Sequence, residues 1–263
     1  MSSDKKEWVR ERYGAIAAGS QSSCCSDSCC GSNTDAVAIE VGYQEEDLAA
    51  VPDGANLGLG CGNPVAIAGI REGEVVLDLG SGAGLDVFLA AERVGPTGRV
   101  IGLDMTEEMI AAARKNAEAA GYKNVEFRHG DIESMPVDDN SVDLIISNCV
   151  LNLVPDKQKA FAEMYRVLKP GGRVAVADIV LDGPLPEALR SNADAYSSCI
   201  SGAVSRSDYL QGLRDAGLNN VEVESEVDAS ELLSGDCCGE GCGTGAPELK
   251  GVVTSIKVTG RKA

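Results

Sequence analysis

Two sets of residues in this chain have the types and spacing to do chemistry. The first is Gly80-Ser81-Gly82-Ala83-Gly84, with Asp78 just before it and Asp104 beyond it. The second is a set of ten cysteines. Glycines let a backbone turn tightly and approach a ligand, and a helix that starts there presents unpaired N–H donors. The glycines follow an apolar, β-branched run at 75–79 and precede an apolar-periodic stretch at 85–94. Strand, glycine turn and helix in that order open a nucleotide-binding βαβ unit. A second strand at 99–103 delivers Asp104, where an acid can accept hydrogen bonds from both hydroxyls of a ribose.

The cysteines fall unevenly. Cys24, Cys25, Cys29 and Cys30 crowd one segment, Cys237, Cys238 and Cys242 another, while Cys61, Cys149 and Cys199 stand alone. In a cytoplasmic chain such residues are ligands, nucleophiles or redox groups more often than structural disulfides. Thiolates select soft centres. Cys237-Cys238-x-x-x-Cys242 is not a standard zinc spacing, and metalloid capture or zinc binding both stay open for it. His129 is the only histidine and reads as a strand-end residue that cannot anchor a histidine-based metal or triad site alone.

These residues need elements to hold them. From 74 to 179 strands alternate with helices, which predicts an α/β, doubly wound, Rossmann-like sheet, mostly parallel. Strands are expected at 75–79, 99–103, 125–128 and 142–147, with a fifth after residue 172. Alternation at 221–227 and 252–259 adds two more, the last antiparallel. Helices are expected at 4–18, 84–94, 106–120, 157–168, 186–196 and 205–216. Pro64 can open a short helix to Ile70. Residues 19–35 have no periodicity and read as a mobile loop. Residues 1–72 are taken as an N-terminal helix and cysteine-rich arm capping the site. Residues 73–263 are taken as the catalytic domain, with a cysteine-bearing insertion near 182–216. Open α/β sheets bind ligands beyond the carboxyl ends of their strands, so Asn148 and Cys149 lie where a reaction should occur.

The 263 residues suffice for one α/β domain with extensions. A formal charge of −18 argues against nucleic acid and anionic lipid as partners. No run of about 18 apolar residues is present, so no membrane span is expected. The N-terminus has no signal-peptide core, so a cytoplasmic chain is expected; a monomer is expected as well.

The segment from Asp78 to Gly84, D-x-G-x-G-x-G, resembles the first motif of class I S-adenosylmethionine-dependent methyltransferases. Asp104-Met105 resembles that family's ribose-binding acid and its neighbour. Gly130-Asp131-Ile132-Glu133 resembles the segment where the family keeps an acid near the adenine amine. Leu168-Lys169-Pro170-Gly171-Gly172 resembles its turn into strand five. The cysteines narrow the resemblance. Ser147-Asn148-Cys149-Val150-Leu151-Asn152-Leu153 and Gly58-Leu59-Gly60-Cys61-Gly62-Asn63-Pro64 resemble the cysteine segments of arsenite methyltransferases. Ser198-Cys199-Ile200-Ser201-Gly202 resembles the third. Tyr13-Gly14 resembles the opening segment of that family.

The resemblance implies methyl transfer from S-adenosylmethionine, with S-adenosylhomocysteine as product, to arsenite held by Cys61, Cys149 and Cys199. It implies a cofactor site at Asp78, Gly80, Ser81, Gly82, Gly84, Asp104, Met105, Asp131, Ile132, Glu133 and Asn148. Cys29 and Cys30 are candidate further arsenic ligands. Small thiols and a thioredoxin-like or glutathione-like reductant are the implied partners. Two departures bear on the number of methyl groups added. Family members carry a further C-terminal domain, and four cysteines compete for the family's single N-terminal one. The residues alone leave three alternatives: a Rossmann-like NAD domain, a quinone-type C- or O-methyltransferase, and a non-enzymatic metalloid-binding protein.

Overall fold

The computed structural model describes residues 2–19, 34–190, 196, 199–230 and 249–263. Seven strands form one sheet in the order β3-β2-β1-β4-β5-β7-β6. They are β1 (Val75–Leu79), β2 (Arg99–Asp104), β3 (Val125–His129), β4 (Val142–Asn148), β5 (Leu168–Leu181), β6 (Leu218–Asp228) and β7 (Val253–Lys262). β7 is antiparallel to both β5 and β6, and the remaining pairs are parallel. The expected α/β fold with an antiparallel C-terminal strand is therefore present.

Parallel strands covered on both faces read as continuous apolar runs, as β1 and β4 do. Alternate side chains go to opposite layers. Leu77, Leu79, Ile101 and Leu103 pack with Phe161, Met164 and Tyr209 on one face. Val76, Val100, Leu144 and Ile146 pack with Phe88 and Ile110 on the other. The flanking helices are α4 (Leu85–Val94), α5 (Glu107–Ala120), α6 (Lys157–Val167) and α8 (Arg206–Asp215). Ahead of the sheet come α1 (Ser2–Ala17), α2 (Thr34–Glu40) and α3 (Glu45–Ala49). α1 lies against α5 and a 3₁₀ turn at Leu151–Leu153. The sheet order reverses beside β1, between β2 and β4, which opens a crevice at their carboxyl ends.

Several elements differ from their sequence reading. The stretch 64–70 forms turns rather than a helix. Gly69 takes a left-handed φ of +53°, and Arg93 bonds the Val65 carbonyl, which a helix here would use. Thr34 and Asp35 open α2 instead of closing a loop; residues 20–33 lie outside the described residues. The 186–196 helix is described as α7 (Glu187–Arg190), and residues 191–195 lie outside the described residues. β5 begins at Leu168, so Gly171 and Gly172 sit within it, where the register with β4 shifts.

Candidate active site

The crevice is a cleft holding about 1060 Å³ of empty space, the open solvent at its mouth included. Strand ends supply its floor: Asp78 from β1, Asp104 from β2 and Asn148 from β4. Gly80, Ser81, Gly82 and Ala83 form one wall, Met105 and Thr106 another, and Asp131 and Ile132 a third. Gly80 takes φ +68° against Val150, and a Cβ there would come within 2.5 Å of the valine side chain. Only glycine fits that turn. Asp104 organises the loop: Oδ2 accepts from Gly82 N at 3.0 Å and Oδ1 from Thr106 N at 2.9 Å.

The cleft is strongly acidic. Asp78 is 2% exposed, and burial together with the charges of Asp86 and Asp104 pushes its pKa well above the ordinary range. Burial also raises Asp104, and lifts Asp86 to about 6 against hydrogen bonds from Tyr43 and Asn148. Such a cluster repels an anionic ligand and is relieved by a cationic one. Lys6 of α1 supplies a cation at the rim, bonding Asp131 Oδ2 at 2.5 Å and Glu133 Oε2 at 2.8 Å. Burial works to raise Asp131, but the hydrogen bonds from Lys6 and Glu133 N and the charges of Lys6 and Arg10 together outweigh it and hold the carboxyl low.

Beside the cleft stand the thiols of Cys61, Cys149 and Cys199, 6%, 9% and 3% exposed and all unbridged. They come from three places far apart in sequence and share one apolar cluster with Val9, Leu153, Ile179 and Tyr196. Cys149 follows β4 directly, and its N–H bonds Ala177 O at 2.8 Å. Both Cys149 (φ +59°) and Cys199 (φ +64°) adopt the left-handed backbone that non-glycine residues seldom take. Such strain gathers where a site needs an unusual side-chain direction. Hydrogen bonds with the Cys199 and Cys61 thiols, then burial, push the Cys149 thiol well above its ordinary pKa. Burial pushes Cys61 up as well. The Cys199 thiol also donates to the Cys149 carbonyl. Tyr13 joins the two regions: it lines the cleft and feels the charges of Cys199 and Cys149.

Other expected site residues are placed differently. Glu133 does not line the cleft; it accepts from Lys6 and from Asp156 N. Gly84 caps α4, packed on Phe88 behind the loop. Cys29 and Cys30, like Cys237, Cys238 and Cys242, lie outside the described residues. Four residues that sequence patterning did not single out complete the region: Lys6, Tyr43, Asp86 and Asp178. The one signal for Asp86 and Asp178 is an acid inside an otherwise apolar run.

The methyltransferase domain family matches residues 70–217, more than half of the chain. The chain belongs to the methyltransferase-domain family. Within that family it is 48% identical to an arsenite methyltransferase of Halobacterium salinarum, over 88% of this chain and 61% of that protein. It thus spans about three fifths of that relative's length. A solved arsenic(III) S-adenosylmethionine methyltransferase from Chlamydomonas reinhardtii is 34% identical. The match covers 86% of this methyltransferase-domain chain and 72% of that one, with a TM-score of 0.58. A 2-phytyl-1,4-beta-naphthoquinone methyltransferase from Arabidopsis thaliana is 43% identical, but over only 43% of the chain. The similarity to arsenic enzymes therefore reaches well beyond the shared core.

Proposed function

We propose that this chain transfers methyl groups from S-adenosylmethionine to trivalent arsenic held by Cys61, Cys149 and Cys199. The observation that carries the proposal is the convergence of three buried, unbridged thiols at the edge of an acidic cleft.

The donor set of the cleft fits the cofactor. S-adenosylmethionine carries a sulfonium and an ammonium, and Asp78, Asp86 and Asp104 favour cations there. The pyrophosphate of a dinucleotide would meet repulsion from the same acids, which argues against the NAD alternative. Asp104 would hold the ribose. Gly80, Ser81, Gly82 and Gly84 would form the supporting turn, with Asp78 and Asn148 beneath the amino-acid portion. Met105, Asp131, Ile132 and Glu133 would surround or support the adenine side.

When bound, S-adenosylmethionine supplies an electrophilic methyl group and leaves as S-adenosylhomocysteine. The chain's own work is to hold the nucleophile. Trivalent arsenic takes three sulfurs in a pyramid and keeps a lone pair exposed. Each thiol gives its proton to a departing hydroxide or thiolate as its sulfur joins arsenic. Holding the lone pair in line is a positioning task, which can be worth ~7–11 kcal/mol of barrier. Methylation oxidises arsenic formally from three to five, and a thioredoxin-like or glutathione-like thiol reductant returns the electrons. The cysteine-dense segment at 24–30 is proposed as a thiol arm for that step, and residues 1–72 as the cap over the site. A cytoplasmic, monomeric enzyme fits a chemistry that needs reduced thiols. Among the described residues no helix is long and apolar enough to cross a membrane.

The test is incubation with arsenite, a thiol reductant and radiolabelled methyl donor. Methylated arsenic is the expected product. Arsenic that binds but is never methylated would leave a sequestration protein; label in a quinone-like acceptor instead would favour the quinone-type alternative.

A further inference from the structure

We propose that Cys61, Cys149 and Asp178 form a site for a thiophilic divalent cation of the zinc or cadmium class, with Cys199 as the fourth ligand. The two sulfurs and a carboxylate oxygen of Asp178 all lie within 4.8 Å of one another, and all three residues are buried. Cys199 lies outside that set, but its thiol interacts with that of Cys149, so a turn of the Cys199 side chain is needed to bring in the fourth donor.

Asp178 is what distinguishes this site from the arsenic pyramid. Three sulfurs satisfy trivalent arsenic, and a carboxylate has no place in that set. A zinc-class cation wants four donors in a tetrahedron and accepts sulfur and carboxylate oxygen together. Bond lengths of about 2.3 Å to sulfur and 2.0–2.2 Å to oxygen put tetrahedral donors about 3.6–3.8 Å apart. Side-chain rotation closes that gap from the spacing found here. The carboxylate is also held as metal-ligating carboxylates are, by partners behind it. Asn152 Nδ2 donates to Oδ1 at 2.7 Å, Ile179 N to the same oxygen at 3.1 Å, and Tyr209 OH to Oδ2 at 3.2 Å.

No electron transfer is involved. Each ligating thiol releases its proton to buffer as its sulfur joins the cation. The site stands on side-chain placement alone. Its consequence, that zinc competes with arsenite for Cys61 and Cys149, rests on the arsenic reading.

The experiment uses the full chain with Cys24, Cys25, Cys29, Cys30, Cys237, Cys238 and Cys242 each changed to Ser, so that only the clustered thiols remain. It is titrated with cobalt(II), whose tetrahedral thiolate complexes have strong visible and charge-transfer bands. One cobalt per chain with those bands, displaced by zinc, is expected. Cys149→Ser should abolish the bands. Asp178→Asn should shift them and weaken cobalt at least about tenfold; retained S-adenosylmethionine binding shows that this variant is folded. Absence of thiolate bands in the parent overturns the site, as does Asp178→Asn with unchanged bands and affinity. If Asp178→Asn does not fold, zinc-edge X-ray absorption of the parent decides. Three sulfurs and one oxygen are expected, and a shell without oxygen or with a single sulfur overturns the proposal. Arsenite methylation is measured separately in zinc-free buffer. Cation binding without methylation would sink only the arsenic reading, and methylation without cation binding only the cation site.

Discussion

The side-chain oxygen of Asn148 accepts the backbone N–H of Cys61 at 3.0 Å, tying the end of β4 to a loop 87 positions away. The other end of the amide donates to Tyr43 OH at 2.9 Å and Gly62 O at 2.7 Å. One amide thus joins the floor of the cleft to the mount of a thiol. Asn148→Ala would orphan Cys61 N–H and Gly62 O, a loss of about 1–3 kcal/mol for each buried group left unpaired. Thermal unfolding and single-turnover methylation should both show the damage. Asn148→Asp keeps the shape but sets an acceptor against Gly62 O and Asp86, and should be no better. Wild-type rate and stability in both variants would reduce Asn148 to packing.

How much of this was legible beforehand depends on the range of the interaction. The glycine loop, Asp104 and the succession of strands along the chain follow from local patterns, because turn chemistry and alternation act within a few residues. The thiol positions were reached through motif resemblance. The Tyr43–Asp86–Asn148 network was not legible, because its members are set by tertiary packing. The same holds for the region 64–70. Proline and spacing favour a helix, but Gly69 turns left-handed and Arg93, distant in sequence, holds the Val65 carbonyl. Lys6 gave no signal either: its partners Asp131 and Glu133 lie 125 and 127 positions away.

Asp104 supports the glycine turn through Gly82 and Thr106 as well as facing the cleft. Asp104→Ala should weaken S-adenosylmethionine by about 1.5–3 kcal/mol, the worth of hydrogen bonds to a charged acceptor. Calorimetric titration measures it directly. An unchanged dissociation constant would remove Asp104 from the cofactor site.

Lys6 clamps α1 over the cleft through two carboxylates. Lys6→Met should speed release of S-adenosylmethionine severalfold, and should remove the wild type's sensitivity of that rate to salt. Stopped-flow displacement provides the readout. Equal release rates at low and high ionic strength in the wild type would show that the clamp does not gate the site.

Asp86 gives a pH signature. Burial lifts its folded-state pKa to about 6, above the ordinary carboxylate value of 3.8. The folded protein therefore binds this proton more tightly than the unfolded chain does. The contribution is most favourable below the unfolded pKa and is lost as pH rises toward 6. Relative to Asp86→Asn, the wild type should lose stability between about pH 4 and 6, on the order of a few kcal/mol, and run parallel above that. Denaturant unfolding across that range checks it. A difference independent of pH would contradict the raised pKa.

Cys149 should be the thiol whose loss is most damaging. It lines the cleft, follows a strand directly and is fixed by its N–H bond to Ala177. Cys199 is next to it, and both act on Tyr13, which faces the cleft. Cys61 does not line the cleft, and its thiol faces Ala177 O at 3.8 Å. The glycine-rich loop that carries Cys61 is pinned by Asn148 and by Ser255, whose hydroxyl bonds Cys61 O at 2.7 Å, so looseness is not what sets Cys61 apart. A monomethylated arsenical has two places left for thiols; of the three cysteines only Cys149 lines the cleft, and Cys199, whose thiol bonds the Cys149 carbonyl, is the expected second ligand. Cys149→Ser should abolish methylation of both substrates while S-adenosylmethionine still binds, since misplacement by about 1 Å can cost on the order of a hundredfold. Cys61→Ser should stop methylation of arsenite but spare the monomethylated substrate. Single-turnover assays of each variant on both substrates separate these roles. Substantial activity in Cys149→Ser, or equal dependence of the methylated substrate on Cys61 and Cys149, would show the division to be wrong.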